Sequence, residues 1–221
     1  MTLFLVCTII PLGFGLWAQM KVKRTFAKYS QVAPRNGMSG ADAAAAVLRS
    51  SGLPNTAIRP VAGHLTDHYD PRNRTLNLSQ DVGGASSLAA LGVAAHEAGH
   101  AIQDAKRYAP MRIRQALVPA ATIGQSFWFI PVVLGLIMGL TGLVTIGLIL
   151  FAVIVLFQLI TLPVEFDASK RALVALEGQG LLAADEVPGA KAVLNAAALT
   201  YIAGFVAALG QLIYFFALSR N

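Results

Sequence analysis

The sequence is poor in charged residues and contains a single cysteine. Charged residues make up 13% of its 221 positions and hydrophobic residues 56%, whereas soluble domains carry about 25% charged residues. This composition argues against a soluble domain and predicts an integral membrane protein. The one cysteine, Cys7, cannot form an intrachain disulfide, so a disulfide scaffold is excluded. Because Cys7 lies in an apolar run, we expect it to pack rather than to react.

The chain also lacks segments in which basic and aromatic residues alternate, a pattern typical of nucleic-acid interfaces. Its net charge of +6 therefore indicates cytoplasmic loops beside anionic lipid. We expect the lipid bilayer to be a partner and expect no nucleic acid.

Long apolar runs divide the sequence into membrane and polar segments. A signal peptide carries its charges before its apolar run, but here Lys21, Lys23 and Arg24 follow the first run, which predicts a retained helix. Residues 116–164 are long enough for two helices of about 20 residues each, with a turn at residues 139–142. The predicted order is transmembrane helix 1 at 1–20, a cytoplasmic segment at 21–115, transmembrane helices 2 and 3 at 116–164, a second cytoplasmic segment at 165–191, and transmembrane helix 4 at 192–218.

The first cytoplasmic segment contains the pattern His-Glu-x-x-His, formed by His96, Glu97 and His100. Residues four apart lie on one face of a helix, so the two imidazoles can bind one metal ion. Glu97 lies close enough to hold a water at the metal without being a ligand. A zinc hydrolase needs two such histidines, a third ligand, an open position and a general base. Two serines just upstream are available as helix N-caps.

The polar residues before the motif predict a small folded domain. An Ala-rich helix begins near Ser39 and ends near Gly52, residues 70–73 predict a turn, and alternation at Thr75–Ser79 predicts a short strand. We expect a small hairpin or sheet edge just before the motif helix. Such an edge could pair with an extended substrate, although a plain structural hairpin would have the same pattern.

A zinc site needs a third protein ligand, and the cytoplasmic segments offer several candidates. They are His64, Asp67, His68, Asp70, Asp104, Glu165 and Asp167. Asp104 lies about 6 Å along the motif helix from His100, which predicts an orienting group or a solvated helix end. Glu165 follows a membrane helix, where a solvated carboxylate is common. Metal ligation by Glu165 is favoured because the histidine pair requires a third ligand.

Three stretches, at residues 69–72, 86–103 and 165–169, resemble the YugP-like family of membrane zinc metallopeptidases. The resemblance covers nearly the whole chain and is specific in the motif helix. More distantly, the plan is similar to HtpX-type and CAAX-processing membrane peptidases, in which Glu-x-x-x-Asp after a membrane helix supplies the third ligand. This likeness implies that role for Glu165. Ser169 stands where the wider pattern has Asp, so Asp167 or Asp104 is expected to orient the site.

These features together predict a mainly α-helical membrane protein with about four transmembrane helices and a small zincin-like cytoplasmic domain. We expect a zinc metalloendopeptidase that cleaves membrane-associated or membrane-proximal proteins. Its Zn²⁺ would be held by His96, His100 and Glu165, with Glu97 as general base and then acid. An oxyanion stabiliser is also needed, and the candidates are Tyr69, Tyr108 and Arg171.

Two other functions fit parts of the pattern. A non-catalytic metal-binding membrane scaffold or chaperone partner would need the ligands but no base, so Glu97 favours the enzyme. A transporter is disfavoured because charged residues are scarce inside the apolar runs, whereas transport paths usually contain them.

The distribution of positive charge predicts the orientation in the membrane. Sixteen of the 17 lysines and arginines lie in the segments 21–115 and 165–191, and the other is Arg220. Short segments rich in Lys and Arg stay in the cytoplasm. Both polar segments are therefore expected in the cytoplasm, with both termini on the opposite side.

A reporter fused after Asn221 should accordingly be detected outside the cell, and a label near Gln80 should be protected in intact cells. These positions follow from four membrane crossings. A reporter detected in the cytoplasm would contradict the number of crossings.

Overall fold

The computed structural model describes residues 1–219 and is mainly helical with one small sheet. Arg220, the charge predicted to face outward, lies outside the described residues. The helices are α1 (Thr2–Ser30), α2 (Gly40–Ser50), α3 (Gln80–Gly83), α4 (Leu88–Ala105), α5 (Ala109–Phe127), α6 (Phe129–Met138), α7 (Thr141–Gly178) and α8 (Val187–Leu218). The strands are β1 (Ala57–Val61), β2 (His68–Asp70) and β3 (Thr75–Ser79).

Three helices, α1, α7 and α8, are long and apolar enough to cross a membrane. Helices α5 and α6 meet at a bend of 40° and make a fourth candidate if they are taken as one broken span. Three to four candidate spans therefore lie among the described residues. The turn predicted at residues 139–142 is confirmed, because Gly139 ends α6 in the left-handed conformation, with φ of 68°.

The helices extend beyond the apolar segments that hydropathy indicates. Helix α1 continues to Ser30, α5 begins at Ala109, and α7 continues to Gly178. Hydropathy marks the limits of an apolar surface, whereas helical hydrogen bonding continues wherever good helix formers follow. Glu165 thus lies inside a continuous helix rather than after one, and Ser169 shares its face one turn later.

The described chain forms two compact units. One comprises Met1–Gln19, Ala109–Pro163 and the chain from Leu199 onward, and it contains most of the apolar helices. Its buried cluster is formed by Phe151, Ile154 and Val155.

The second unit comprises Met20–Tyr108 and Val164–Ala198, and its core surrounds α4. Buried side chains from α2, β3 and α7 belong to this core, for example Leu48, Leu76 and Leu176. Most α4 residues between Leu88 and Gln103 are buried, and many of them are alanines, so neighbouring elements can approach the helix closely.

Capping side chains define the first residues of α2 and α4. Ser39 and Asp42 form a reciprocal capping box at α2, which confirms the predicted start of that helix. Ser87 caps α4, its hydroxyl oxygen accepting a hydrogen bond from the backbone N–H of Ala90 at 3.1 Å.

The sheet has the order β1-β3-β2, with β3 parallel to β1 and antiparallel to β2. The predicted turn is present, because the Asp70 carboxylate accepts hydrogen bonds from the Arg72 backbone and the Asn73 side chain. The predicted strand Thr75–Ser79 is also present, but as the central strand rather than an edge. Strand β1 was not predicted, because its residues do not alternate and it contains Pro60.

Helices α4 and α7 are in intimate contact at Gly99. A Cβ atom on Gly99 would lie 2.6 Å from the carbonyl oxygen of Ala168. Only glycine permits this approach, since real Cβ atoms essentially never come that close to another heavy atom. Gly99 precedes His100 in α4, and Ala168 lies between Glu165 and Ser169 in α7, so the contact brings the motif to the carboxylate.

Candidate metal centre

The side chains of His96, His100 and Glu165 converge between α4 and the last part of α7. Their ligand atoms all lie within 4.8 Å of one another. Oε2 of Glu165 is 3.2 Å from Nε2 of His96 and 3.5 Å from Nε2 of His100. The side chains are 12% (His96), 10% (His100) and 4% (Glu165) exposed, so the cluster is largely shielded from solvent.

The other nitrogen of each imidazole has its own partner. Nδ1 of His96 lies 3.0 Å from the Ser169 hydroxyl, and Nδ1 of His100 lies 3.0 Å from Oε1 of Gln103. An amide oxygen only accepts hydrogen bonds, so Nδ1 of His100 carries the proton. In a neutral imidazole, a proton at Nδ1 leaves Nε2 with a free lone pair. If Nδ1 of His96 likewise donates to the Ser169 hydroxyl oxygen, the Nε2 lone pairs of both rings face Glu165.

This arrangement fits a metal ion. Two imidazole lone pairs and a carboxylate oxygen are all acceptors, and buried acceptors that face one another need a cation between them. Two nitrogens and one oxygen are also ligands that zinc prefers. A proton on Nε2 of His100 can take the place of that cation: burial lowers the pKa of His100, but Glu165 and Glu97 outweigh burial and the pKa is raised.

Gln103 connects the His100 imidazole to α7. Its Nε2 donates hydrogen bonds to the Val164 carbonyl at 2.7 Å and to Oδ2 of Asp167 at 2.8 Å, which turns Oε1 toward His100. Asp167 also accepts a hydrogen bond from Nε of Arg171 at 2.5 Å. Asp167 thus reaches the site through Gln103, a residue to which the sequence assigned no role. The available signal was a polar residue three positions after His100 in an apolar helix.

Ser169, which departs from the wider family pattern, lies against a predicted metal ligand. Its hydroxyl contacts His96 directly, whereas Asp167 contacts Gln103 and Arg171. A hydroxyl fills the position where a carboxylate was expected and still provides an acceptor for the imidazole N–H.

Glu97 is buried beside the cluster, and the backbone N–H of Tyr69 donates to its Oε2 at 3.0 Å. Burial raises the pKa of Glu97, although the neighbouring His100 and His96 oppose this effect. A carboxylate with a raised pKa accepts a proton more readily, which suits a general base.

Asp104, expected to be an orienting group or a solvated helix end, contacts Tyr69. Its Oδ2 accepts a hydrogen bond from the Tyr69 hydroxyl at 3.0 Å. Burial raises the pKa of Tyr69, and the Asp104 charge raises it further, so the phenol stays protonated and donates. Tyr69 therefore attaches β2 to α4 at two points, Glu97 and Asp104. Because the backbone N–H of Tyr69 donates to Glu97, this N–H is not available to pair with a further strand.

The remaining candidates make contacts of their own. His64 pairs with Asp81 at 2.6 Å, and Asp67 accepts a hydrogen bond from the backbone N–H of Ser79 at 2.7 Å. Nδ1 of His68 lies 2.8 Å from the Thr66 carbonyl oxygen, and Asp70 belongs to the turn after β2. Two oxyanion candidates contact each other, since the Arg171 guanidinium lies 5.7 Å from the centre of the Tyr108 ring.

The geometry distinguishes the third ligand from the nearby carboxylate in a metal-binding experiment. We expect Glu165→Ala to purify nearly free of metal at stoichiometric zinc, because two imidazoles and water hold zinc weakly. Asp104→Ala should keep its zinc, since Asp104 contacts Tyr69 rather than a ligand. Metal content would be measured by mass spectrometry on protein shown to be folded. Loss of zinc from Asp104→Ala with retention by Glu165→Ala would contradict the assignment.

Comparison with known proteins identifies the family of the chain. The chain matches, over residues 3–220, a family model described as "Putative neutral zinc metallopeptidase". It is 41% identical over 219 residues to "Putative membrane protease YugP" of Bacillus subtilis (strain 168), a match that covers 99% of this chain and 97% of that protein. No solved structure matches the chain. The resemblance inferred from the motif residues is therefore confirmed: the chain belongs to this neutral zinc metallopeptidase family and is similar to YugP over nearly its whole length.

Proposed function

We propose that this protein is a zinc metalloendopeptidase of the cell membrane that cleaves membrane-associated or membrane-proximal proteins. The observation that carries the proposal is the convergence of His96, His100 and Glu165 beside the buried Glu97. The family description and the name of the Bacillus relative support a zinc peptidase of the membrane.

Zinc would be held by Nε2 of His96, Nε2 of His100 and the Glu165 carboxylate. When bound in such a site, zinc lowers the pKa of water to about 7 and polarises a carbonyl group. Ser169 and Gln103 accept the imidazole N–H groups, which fixes the rings in the orientation that directs Nε2 inward. Partners of this kind typically change metal affinity or activity by about 10–100-fold when they are lost.

Glu97 is the proposed proton carrier. Its Oε2 is held by the Tyr69 backbone N–H, which leaves its other oxygen to accept a proton from the attacking water. Glu97 then gives this proton to the departing amine, so one carboxyl group acts first as base and then as acid. Its burial excludes bulk water, and the resulting rise in pKa favours the proton-accepting step.

The elements that carry the site support a substrate close to the bilayer. Helix α7 supplies Glu165 and begins with an apolar stretch long enough to cross a membrane. A site that includes a residue of this helix suits substrate proteins close to the bilayer. The concentration of Lys and Arg in residues 21–115 and 165–191 supports placing the site on the cytoplasmic side.

Replacing the base should separate chemistry from metal binding. We expect Glu97→Gln to retain zinc, because Glu97 is not a ligand, while hydrolysis of a casein substrate falls by at least about 100-fold. The matched control is Glu177→Gln, which makes the same change at an exposed position of α7 and should leave hydrolysis unchanged. Zinc content and cleavage would be measured on the same preparations.

Two results would contradict the proposal. Full zinc-dependent activity in Glu97→Gln would remove Glu97 from the mechanism. A wild-type protein that binds zinc but cleaves neither casein nor any membrane protein offered to it would favour the non-catalytic scaffold instead.

A further inference from the structure

A groove of about 570 Å³ lies beside the metal centre, within the second unit, and the mechanism does not use it. Its walls come from the ends of α2 and α4 and from the last part of α7. The lining includes Ile102, Lys106, Asp167, Lys170, Arg171 and Val174. The volume falls within the range of about 300–1,000 Å³ that is usual for small-molecule sites.

The groove carries an excess of positive charge. Three cationic side chains, Lys106, Lys170 and Arg171, line it together with one carboxylate, Asp167, which leaves two positive charges unbalanced. Asp167 is already paired with Arg171. Lys106 and Lys170 are exposed, and neither forms an ion pair with any residue between 1 and 219. An anionic ligand would supply the missing charge.

Arg171 is held in place for such a ligand. Its Nε donates to Asp167 at 2.5 Å, and its guanidinium lies 5.7 Å from the centre of the Tyr108 ring. Its two terminal amino groups donate no hydrogen bond to another side chain or backbone group in the part of the chain that is described. A fixed guanidinium with free terminal donors matches the oxygens of a phosphate, which it binds in a bidentate manner.

We propose that this groove binds a phosphate group. Phosphate is favoured over a single carboxylate because a phosphate monoester carries about −1.5 to −2 charges at neutral pH, close to the local excess. Ile102 and Val174 add an apolar wall, which fits a phosphate attached to an acyl chain. Two sources share this chemistry, namely the headgroup of phosphatidic acid, which is a phosphate monoester, and free phosphate.

The groove is connected to the metal centre by hydrogen bonds. Arg171 contacts Asp167, Asp167 contacts Gln103, and Gln103 contacts His100. A phosphate that binds Arg171 therefore joins the same network that orients a ligand imidazole. The binding proposal itself does not rest on peptidase activity.

The test compares lipid binding by two double variants of the full-length protein in detergent, measured by native mass spectrometry. The probes are phosphatidic acid and a diacylglycerol with the same acyl chains but no phosphate. Lys106→Ala with Lys170→Ala should weaken phosphatidic acid binding by at least about tenfold, because each lysine near an anionic lipid contributes about fivefold to binding. The control, Lys23→Ala with Lys191→Ala, removes two other exposed lysines and should bind like the wild type.

Competition with inorganic phosphate then identifies the source. If phosphate displaces phosphatidic acid, free phosphate can occupy the site; if it does not, the site takes a lipid headgroup, and both results support the proposal. Three results would overturn it: equal binding of phosphatidic acid and diacylglycerol to the wild type, unchanged binding in the groove variant, or an equal loss in the control.

Discussion

The close approach of α4 to α7 at Gly99 is the constraint on which the rest of the site depends. The backbone of Ala168 occupies the space that a side chain at position 99 would need. Because His100 follows Gly99 and Glu165 precedes Ala168 by three residues, any separation of the two helices would carry the carboxylate away from the imidazoles. The buried alanines of α4 likewise permit close packing on its other faces, because their small side chains let the neighbouring core elements approach the helix.

Burial of polar groups accounts for the remaining arrangement. A buried imidazole needs a partner for each nitrogen, and Ser169 and Gln103 provide one partner for each ring. The inward nitrogens are thereby left to face Glu165, which makes a cation the natural occupant. Tyr69 likewise provides hydrogen-bond donors for the carboxylates of Glu97 and Asp104. These two hydrogen bonds connect the sheet to α4, the helix that carries Glu97.

Patterns with a fixed spacing could be read from the sequence, and contacts between distant segments could not. The histidine pair, the cap at Ser39, the turn after Asp70 and the strand at Thr75–Ser79 follow from neighbours in the chain, and the structure contains each of them. The central place of β3 depends on pairing with β1, which carries no alternating pattern. The partners of Asp104 and Gln103 depend on segments 35 and 64 residues away.

X-ray absorption spectroscopy at the zinc edge tests the central claim most directly, because it reports the ligands of the bound ion in the intact protein. Our account predicts nitrogen and oxygen ligands at about 2.0–2.2 Å, multiple scattering from two imidazoles, and no sulfur. In Glu165→Ala, which should purify nearly free of metal, the zinc edge should fall to near background. A sulfur ligand at about 2.3 Å, or scattering from fewer than two imidazoles, would contradict a site built from His96, His100 and Glu165.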